Sequence, residues 1–477
     1  ICQVTRHQTH SEHPLHRHRN AGIYPARQSE CMRGKGFGSG TSWASDGFNL
    51  LVSRARGASF PALGTLVAMI SDLCRQLDSS PTSIHLVEYW SKKLLDRGFT
   101  EFVHGTPVQA QGFVRVGGAL IAWTNTQNFE QRGIRIVGAH TDSPGLHIKR
   151  NPLTQANNIQ QIGVEIYGGP LLNSWLDRDL GIAGVVYDRA GHATLVSTER
   201  AVARIPQLAI HLDREVNERG LQLDKQQHIR PIWSTEQRIT SFESFLASEF
   251  SLNEDDIAAW SCQLFDVQKA ALFGLRSEFL ASARLDNQVS CWAAMNALLN
   301  SEHDSPSLVA LFDHEEVGSE STHGAAGPRL AWLLEALHVG TRTEFHEALS
   351  RSHCISADNA HAVHPNYVDR HELNNAPIVN EGVVIKTNVN QRYATSPKSL
   401  VPIVHAAATA GVNLQAFSSR NNIACGSTIG PITATRIGIE TVDIGVPQLS
   451  MHSIREMCGT KDPADLVALL SAYLSRA

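Results

Sequence analysis

From about residue 61 onward the chain alternates between two apolar rhythms. Between Ala62 and Leu77, apolar residues recur at Leu66, Met69, Ile70, Leu73 and Leu77, the spacing of one helix face. Asp78-Ser79-Ser80-Pro81-Thr82 breaks that pattern and caps a second helix over Ser83 to Arg97, which Gly98 closes. Short apolar runs that suit buried strands follow, from Ala119 to Trp123, Ile134 to Gly138, Ile182 to Tyr187, Leu308 to Phe312 and Val442 to Leu449. Helical spacing from Gln288 to Leu299 and from Pro328 to Leu337 alternates with them. Strands alternating with helices predict an α/β fold with a largely parallel sheet flanked by helices.

Two stretches stand apart from this rhythm. Residues 147–277 hold short β-like pieces and turn signals such as Gly168-Gly169-Pro170, and predict a second, β-rich domain. It interrupts the first domain, whose parts are residues 61–146 and 278–477. Residues 1–60 sustain no amphipathic period. They carry eight Lys or Arg against three acids, and His7, His10, His13, His16 and His18 crowd their start. This composition predicts a disordered or loosely attached extension. A metal-binding His tract, a nucleic-acid arm and an organellar targeting peptide are the sharper readings of it.

Composition removes whole classes of function. Of 477 residues, 42% are hydrophobic and 18% charged, which suits a globular chain of several domains or one domain with a large insertion. A net charge of −5 provides no basic field for nucleic acid. No apolar run approaches the roughly 18–20 residues that span a bilayer. Eight cysteines lie scattered without a CxxC pair, which fits reduced thiols in a cytoplasmic protein. HExxH, GxSxG, phosphate-loop and dinucleotide-binding motifs are all missing.

What the chain does carry is a set of His and carboxylates at the ends of predicted elements. His140 follows the strand from Ile134, with Asp142 two residues on; Asp313-His314-Glu315-Glu316 follows Leu308 to Phe312; Asp358 follows Ile355-Ser356-Ala357. His452 follows Gln448 to Met451, and Asp286 precedes the helix from Gln288. Taken singly, each has a structural reading: a hydrogen-bonded His, a solvated Glu pair, an N-cap Asp. Taken together they differ, because ligands of open α/β sheets bind outside the carboxyl ends of the strands. Two His and three carboxylates suit two open sites that share one carboxylate, with Zn²⁺ as the cation and Mn²⁺ or Co²⁺ as substitutes. Asp142 is placed to fix the His140 tautomer. Glu315 and Glu316 are neighbours whose side chains diverge, so one can ligate while the other serves as a general base.

The same segments resemble the M18 family of metallo-aminopeptidases, the aspartyl aminopeptidase group. The resemblance runs from about residue 61 to the C-terminus. It rests on Gly138-Ala-His-Thr-Asp-Ser-Pro-Gly145, Trp175-Leu-Asp-Arg-Asp-Leu180, Arg284-Leu-Asp-Asn287, Asp313-His-Glu-Glu-Val-Gly-Ser319, the run from Ser356 to Tyr367, and Ser450-Met-His-Ser-Ile-Arg-Glu-Met457. It implies that His140, Asp286 and Asp358 hold one zinc, and that Glu316, His452 and the same Asp286 hold the other. Glu315 would be the general base and Asp142 would orient His140. His361 is itself a candidate donor to the developing oxyanion, with a packing or supporting His as its other reading. Lys386 and Tyr393 would meet an acidic substrate side chain, and His211 would help build a neighbouring subunit's site or the interface. The implied fold is a zinc-exopeptidase domain interrupted by a dimerisation domain, with dimers assembling into a tetrahedral dodecamer. The implied substrates are peptides with a free N-terminus. The chain departs from the family pattern at Asn422, where an acid is usual, and at Asn359, where Met is common. Two other readings use the same residues: a two-zinc deacylase of N-acyl amino acids, and a dodecameric scaffold or cargo protein with a vestigial site.

Overall fold

The computed structural model describes residues 63–103, 105–236, 239–300 and 305–475. The extension read in residues 1–60, with its His tract, lies outside the described residues. The first helix, Leu63–Ser79, buries Ile70, Leu73 and Leu77 along one face. The next, Ser83–Asp96, begins where the Thr82 side chain accepts the His85 amide, and the chain leaves it through Gly98 at φ 79°.

These helices cover one face of a nine-stranded sheet. Its order is Thr100–Glu101, Gly112–Val116, Ala119–Thr124, Ser307–Phe312, Arg135–His140, His353–Ala357, Glu440–Gly445, Val383–Lys386 and Leu414–Phe417. The four central strands, Ser307–Phe312 to Glu440–Gly445 in that order, pair in parallel. Both of their faces are packed. One faces a core that includes Leu73, Trp90, Val289, Trp292, Leu469 and Tyr473; the other faces Phe129, Leu330, Leu334 and Ile429. Burial on both faces is why these strands read as largely apolar rather than alternating.

Most of the sheet's pairings are parallel, as expected, and three are antiparallel. Gly112–Val116 and Ala119–Thr124 pair antiparallel because only Gly117-Gly118 connects them, too short a link for a crossover. Ala119–Thr124 also runs against Ser307–Phe312, and Val383–Lys386 against Glu440–Gly445. The single strand expected from Val442 to Leu449 is two, Glu440–Gly445 and Pro447–Leu449, in different sheets. The switch falls at Gly445, where a Cβ would lie 1.9 Å from the Asp358 carbonyl oxygen.

Between Arg135–His140 and Ser307–Phe312 the chain builds a second, antiparallel sheet of six strands, in the order Ala193–Ser197, Leu180–Asp188, Ile257–Asp266, Gly145–Ala156, Ile159–Tyr167 and Ile232–Ser234. Its own core contains Leu146, Ile162, Trp175, Ile182, Phe242 and Leu264. A five-stranded sheet made of Ala271–Phe273, Phe279–Ser282, Glu456–Gly459, Pro447–Leu449 and Ala360–His361 completes the fold. Among the described residues, no helix is long and apolar enough to cross a membrane.

Candidate metal centre

Parallel pairing aligns the carboxyl ends of the central strands: Phe312 lies opposite His140, and Ser356 opposite Gly138. Asp358 and the Glu315–Val317 turn therefore emerge beside His140. Asp286 comes from another direction, in a non-helical bend (φ −82°, ψ 108°) at the start of Leu285–Asn300. His452 adopts left-handed backbone, φ 67°, just after Pro447–Leu449.

These five side chains meet. Asp286 stands between two imidazoles, with Oδ1 3.4 Å from His140 Nε2 and Oδ2 3.6 Å from His452 Nε2. Asp358 Oδ1 is 3.8 Å from His140 Nε2, and Glu316 Oε2 is 3.4 Å from His452 Nε2. Each half of the cluster thus has one imidazole, one carboxylate of its own and one oxygen of Asp286. Asp286 Oδ1 and Glu316 Oε1 are buried without a hydrogen-bond partner. An unpartnered buried carboxylate oxygen is costly, and a bound cation removes the cost. His140, Asp286 and Glu316 each offer a ligand atom within 4.8 Å of the others. This nitrogen-and-oxygen donor set suits zinc.

The electrostatics agree. Burial opposes a charge on His140, yet Asp142, Asp286 and Asp358 outweigh it and hold the imidazole well above its ordinary value. At His452 burial also opposes the charge, and Asp286 and Glu316 push the group up to about 10. Glu315 is pushed up to about 7, first by burial and then by Asp358, Asp286 and Asp142 against the opposing His140.

Surrounding residues fix the ligands. Asp142 Oδ1 lies 3.4 Å from His140 Nδ1, which also approaches the Asp142 carbonyl at 3.1 Å. The Asp142 carboxylate further accepts the Glu315 and Glu316 amides, both at 3.1 Å, and the Tyr167 hydroxyl at 2.7 Å. Asn359 donates to the Leu285 carbonyl at 2.9 Å and to Gln448 Oε1 at 2.7 Å. Lys386 is buried, its Nζ 3.4 Å from Asp358 Oδ2, 3.0 Å from the Asn359 carbonyl and 5.0 Å above the Tyr393 ring. His361 and Tyr393 line a 230 Å³ cavity with Arg370, Glu372, Phe417 and Arg420. His211 is exposed in the turn Ile210–Leu212 and makes none of the cluster's contacts among the described residues.

Two residues escaped the sequence reading. Glu456 is fully buried, and its carboxylate accepts the Asp286 amide at 2.9 Å and the His452 amide at 2.7 Å, which ties two cluster segments together. It lies in the quoted run from Ser450 to Met457, so its place was visible although its task was not. Tyr167 belongs to the six-stranded sheet, and nothing in its local pattern points to Asp142.

Fold and cluster define an α/β protein with a candidate metal-binding centre at the carboxyl ends of parallel strands. The sequence profile of the aminopeptidase I zinc metalloproteases (M18) matches residues 76–474, and the chain belongs to that family. A probable M18 family aminopeptidase 2 of Streptomyces coelicolor is 42% identical over 417 residues, 84% of this chain and 96% of the relative. A chain of the cryo-EM complex of Ape4 and Nbr1 superposes with a TM-score of 0.82 at 33% identity, covering 86% of each chain. The S. cerevisiae mApe1 dodecamer gives 0.73 at 26% identity, covering 84% of this chain and 95% of that one. The chain is thus a metallo-aminopeptidase of the M18 family.

Proposed function

We propose that this peptidase removes one residue from peptides with a free N-terminus through two divalent cations, with acidic N-terminal residues preferred. The observation that carries the reading is Asp286 standing between His140 and His452, its two oxygens turned to different imidazoles. His140, Asp358 and Asp286 would hold one zinc; His452, Glu316 and Asp286 the other. When bound, the cations polarise the scissile carbonyl and acidify the attacking water.

The chain's own residues do the rest. Glu315 takes the water's proton and returns it to the leaving amine; its burial, the largest cause raising its carboxyl, favours both transfers. Asp142 holds His140 on one side and the Glu315 and Glu316 amides on the other, so base and ligands move as one unit. His361, pulled below its ordinary value by burial and then by the Lys386 ammonium, stays neutral and donates to the oxyanion. Arg370 and Arg420 give the cavity beside Tyr393 a cationic lining, with Lys386 behind the ring, which supports an acidic substrate side chain.

We extend the reading to assembly. Residues 147–277 would form the dimerisation domain within the peptidase domain, and dimers would build a dodecamer like that of the mApe1 relative. Leu208, Ile210 and Leu212 lie close to His211 in sequence and are exposed, apolar side chains that suit a subunit contact. Mass photometry of the full chain tests the size.

The activity test is Glu315→Gln against aminoacyl chromogenic substrates with Asp, Glu and neutral residues, with and without a chelator. Turnover should fall about 10²–10⁴-fold while zinc content stays at the wild-type level. Loss of zinc together with activity would show that base and ligand are misassigned. Equal rates on N-acetylated substrates would favour a deacylase.

A further inference from the structure

A second cluster of side chains able to ligate a cation lies on the segment that carries Glu315 and Glu316. Asp313, His314 and His323 each offer one ligand atom, all within 4.8 Å of one another. Asp313 is buried at the end of Ser307–Phe312; its Oδ1 accepts the His314 amide at 3.0 Å, and its Oδ2 faces His314 Nε2 at 3.6 Å. The His314 ring is held by Ser321 Oγ, 2.7 Å from Nδ1. When Ser321 accepts the Nδ1 proton, the Nε2 lone pair points toward Asp313. His323 lies parallel to His314, with ring centres 5.9 Å apart and planes at 16°, and its carbonyl accepts the Asp313 amide at 3.1 Å. Neither ring nitrogen of His323 makes a hydrogen bond among the described residues.

The hairpin at Gly117-Gly118 shapes this place. A Cβ on Gly117 would lie 2.5 Å from the His323 ring, and one on Gly118 would lie 2.2 Å from Asp313 Oδ2. Two successive glycines therefore leave room for two of the three candidate ligands. Beyond them opens a 250 Å³ cavity that His147 and Tyr167 also line. Burial, then the charges of His314 and Arg329, keep His323 below its ordinary value, so it presents a neutral, ligating imidazole at pH 7. Tyr167 links the cavity to the centre through its bond to Asp142.

We propose that Asp313, His314 and His323 form an additional site for a borderline divalent cation, Zn²⁺ foremost, separate from the five-ligand centre. Two imidazoles and one carboxylate suit Zn²⁺, Co²⁺ or Ni²⁺. Three protein ligands leave coordination positions open to the cavity, so the cation is exchangeable. The site lies on the loop that carries the proposed base. It does not rest on the two-cation reading, because it shares no ligand with that centre.

The test is zinc binding to the full-length chain, stripped by chelator and titrated with zinc alone against a colorimetric indicator. Wild type, His323→Ala, Asp286→Asn and the double variant are compared, so zinc held elsewhere on the chain cancels. His323→Ala should bind one zinc fewer than wild type, and the double variant one fewer than Asp286→Asn. Loaded with Co²⁺ instead, His323→Ala should lose part of the visible absorption while peptidase activity at low zinc stays unchanged. His323→Gln, which preserves side-chain bulk, should behave the same. Equal zinc counts with and without His323, in both backgrounds, would overturn the proposal. An Asp286→Asn variant with the wild-type count would overturn only the two-cation reading.

Discussion

Glu456→Gln should weaken zinc binding without touching a proposed ligand. The Glu456 carboxylate receives two amides, from Asp286 at 2.9 Å and His452 at 2.7 Å, and is fully buried. In the metal-free chain, burial and then the Asp286 charge push this carboxyl up to about 8. Bound cations cancel that field, and two N–H donors on two oxygens are best met by the ionised form. Glutamine has the same shape but only one acceptor oxygen. One charge-assisted hydrogen bond disappears, at about 1.5–3 kcal/mol, and an amide donor is left facing an NH₂ group, at about 1–3 kcal/mol more. Relaxation of the His452 turn absorbs part of this. If about 1.4–2.8 kcal/mol falls on the placement of Asp286 and His452, affinity drops about 10–100-fold. Competition against a zinc indicator measures the drop, circular dichroism verifies the fold, and saturating zinc should restore most of kcat. Zinc affinity within about twofold of wild type would refute the argument that Glu456 positions the two segments.

Other perturbations follow from the same geometry. Asp142→Asn removes the charge beside His140 and weakens the grip on the Glu315 and Glu316 amides; kcat should fall about 10²-fold with a smaller change in KM, read from steady-state kinetics. Gly445→Ala places a Cβ 1.9 Å from the Asp358 carbonyl oxygen, so urea unfolding should show a loss of about 3 kcal/mol or more, with weaker zinc binding alongside. Zinc binding should release protons, because His452 holds its proton up to about 10 in the metal-free chain and a cation displaces it. Apparent affinity must then rise as pH rises between about 6 and 8; calorimetry in buffers of different ionisation enthalpy counts the protons, and a pH-independent affinity would contradict the site.

Strand-end chemistry was legible because a buried parallel strand announces both its run and its end. Leu308 to Phe312 is apolar without interruption and Ile134 to Gly138 is broken only by Arg135, so His140 and Asp313 mark where each strand ends. Asp286 was legible for a related reason: helical spacing from Gln288 puts it just ahead of the helix proper. The run from Val442 to Leu449 misled on the same grounds, since apolarity records burial and not the sheet in which a residue is buried. Lys386 shows the limit from the other side. A lysine following Val383-Val384-Ile385 reads as the polar end of a strand, yet the structure buries it against Asp358. Burial there depends on a carboxylate 28 positions away in sequence, at the end of a strand that is not its neighbour. Tyr167 and Glu456 follow the same rule. Each acts through a hydrogen bond to a partner in another sheet or segment, Tyr167 to Asp142 and Glu456 to the Asp286 amide. Ligands can be read from chemistry at element ends because metals restrict residue type, whereas the residues that hold ligands in place accept any suitable donor or acceptor. Only the packing of three sheets against one another selects which donor or acceptor that is.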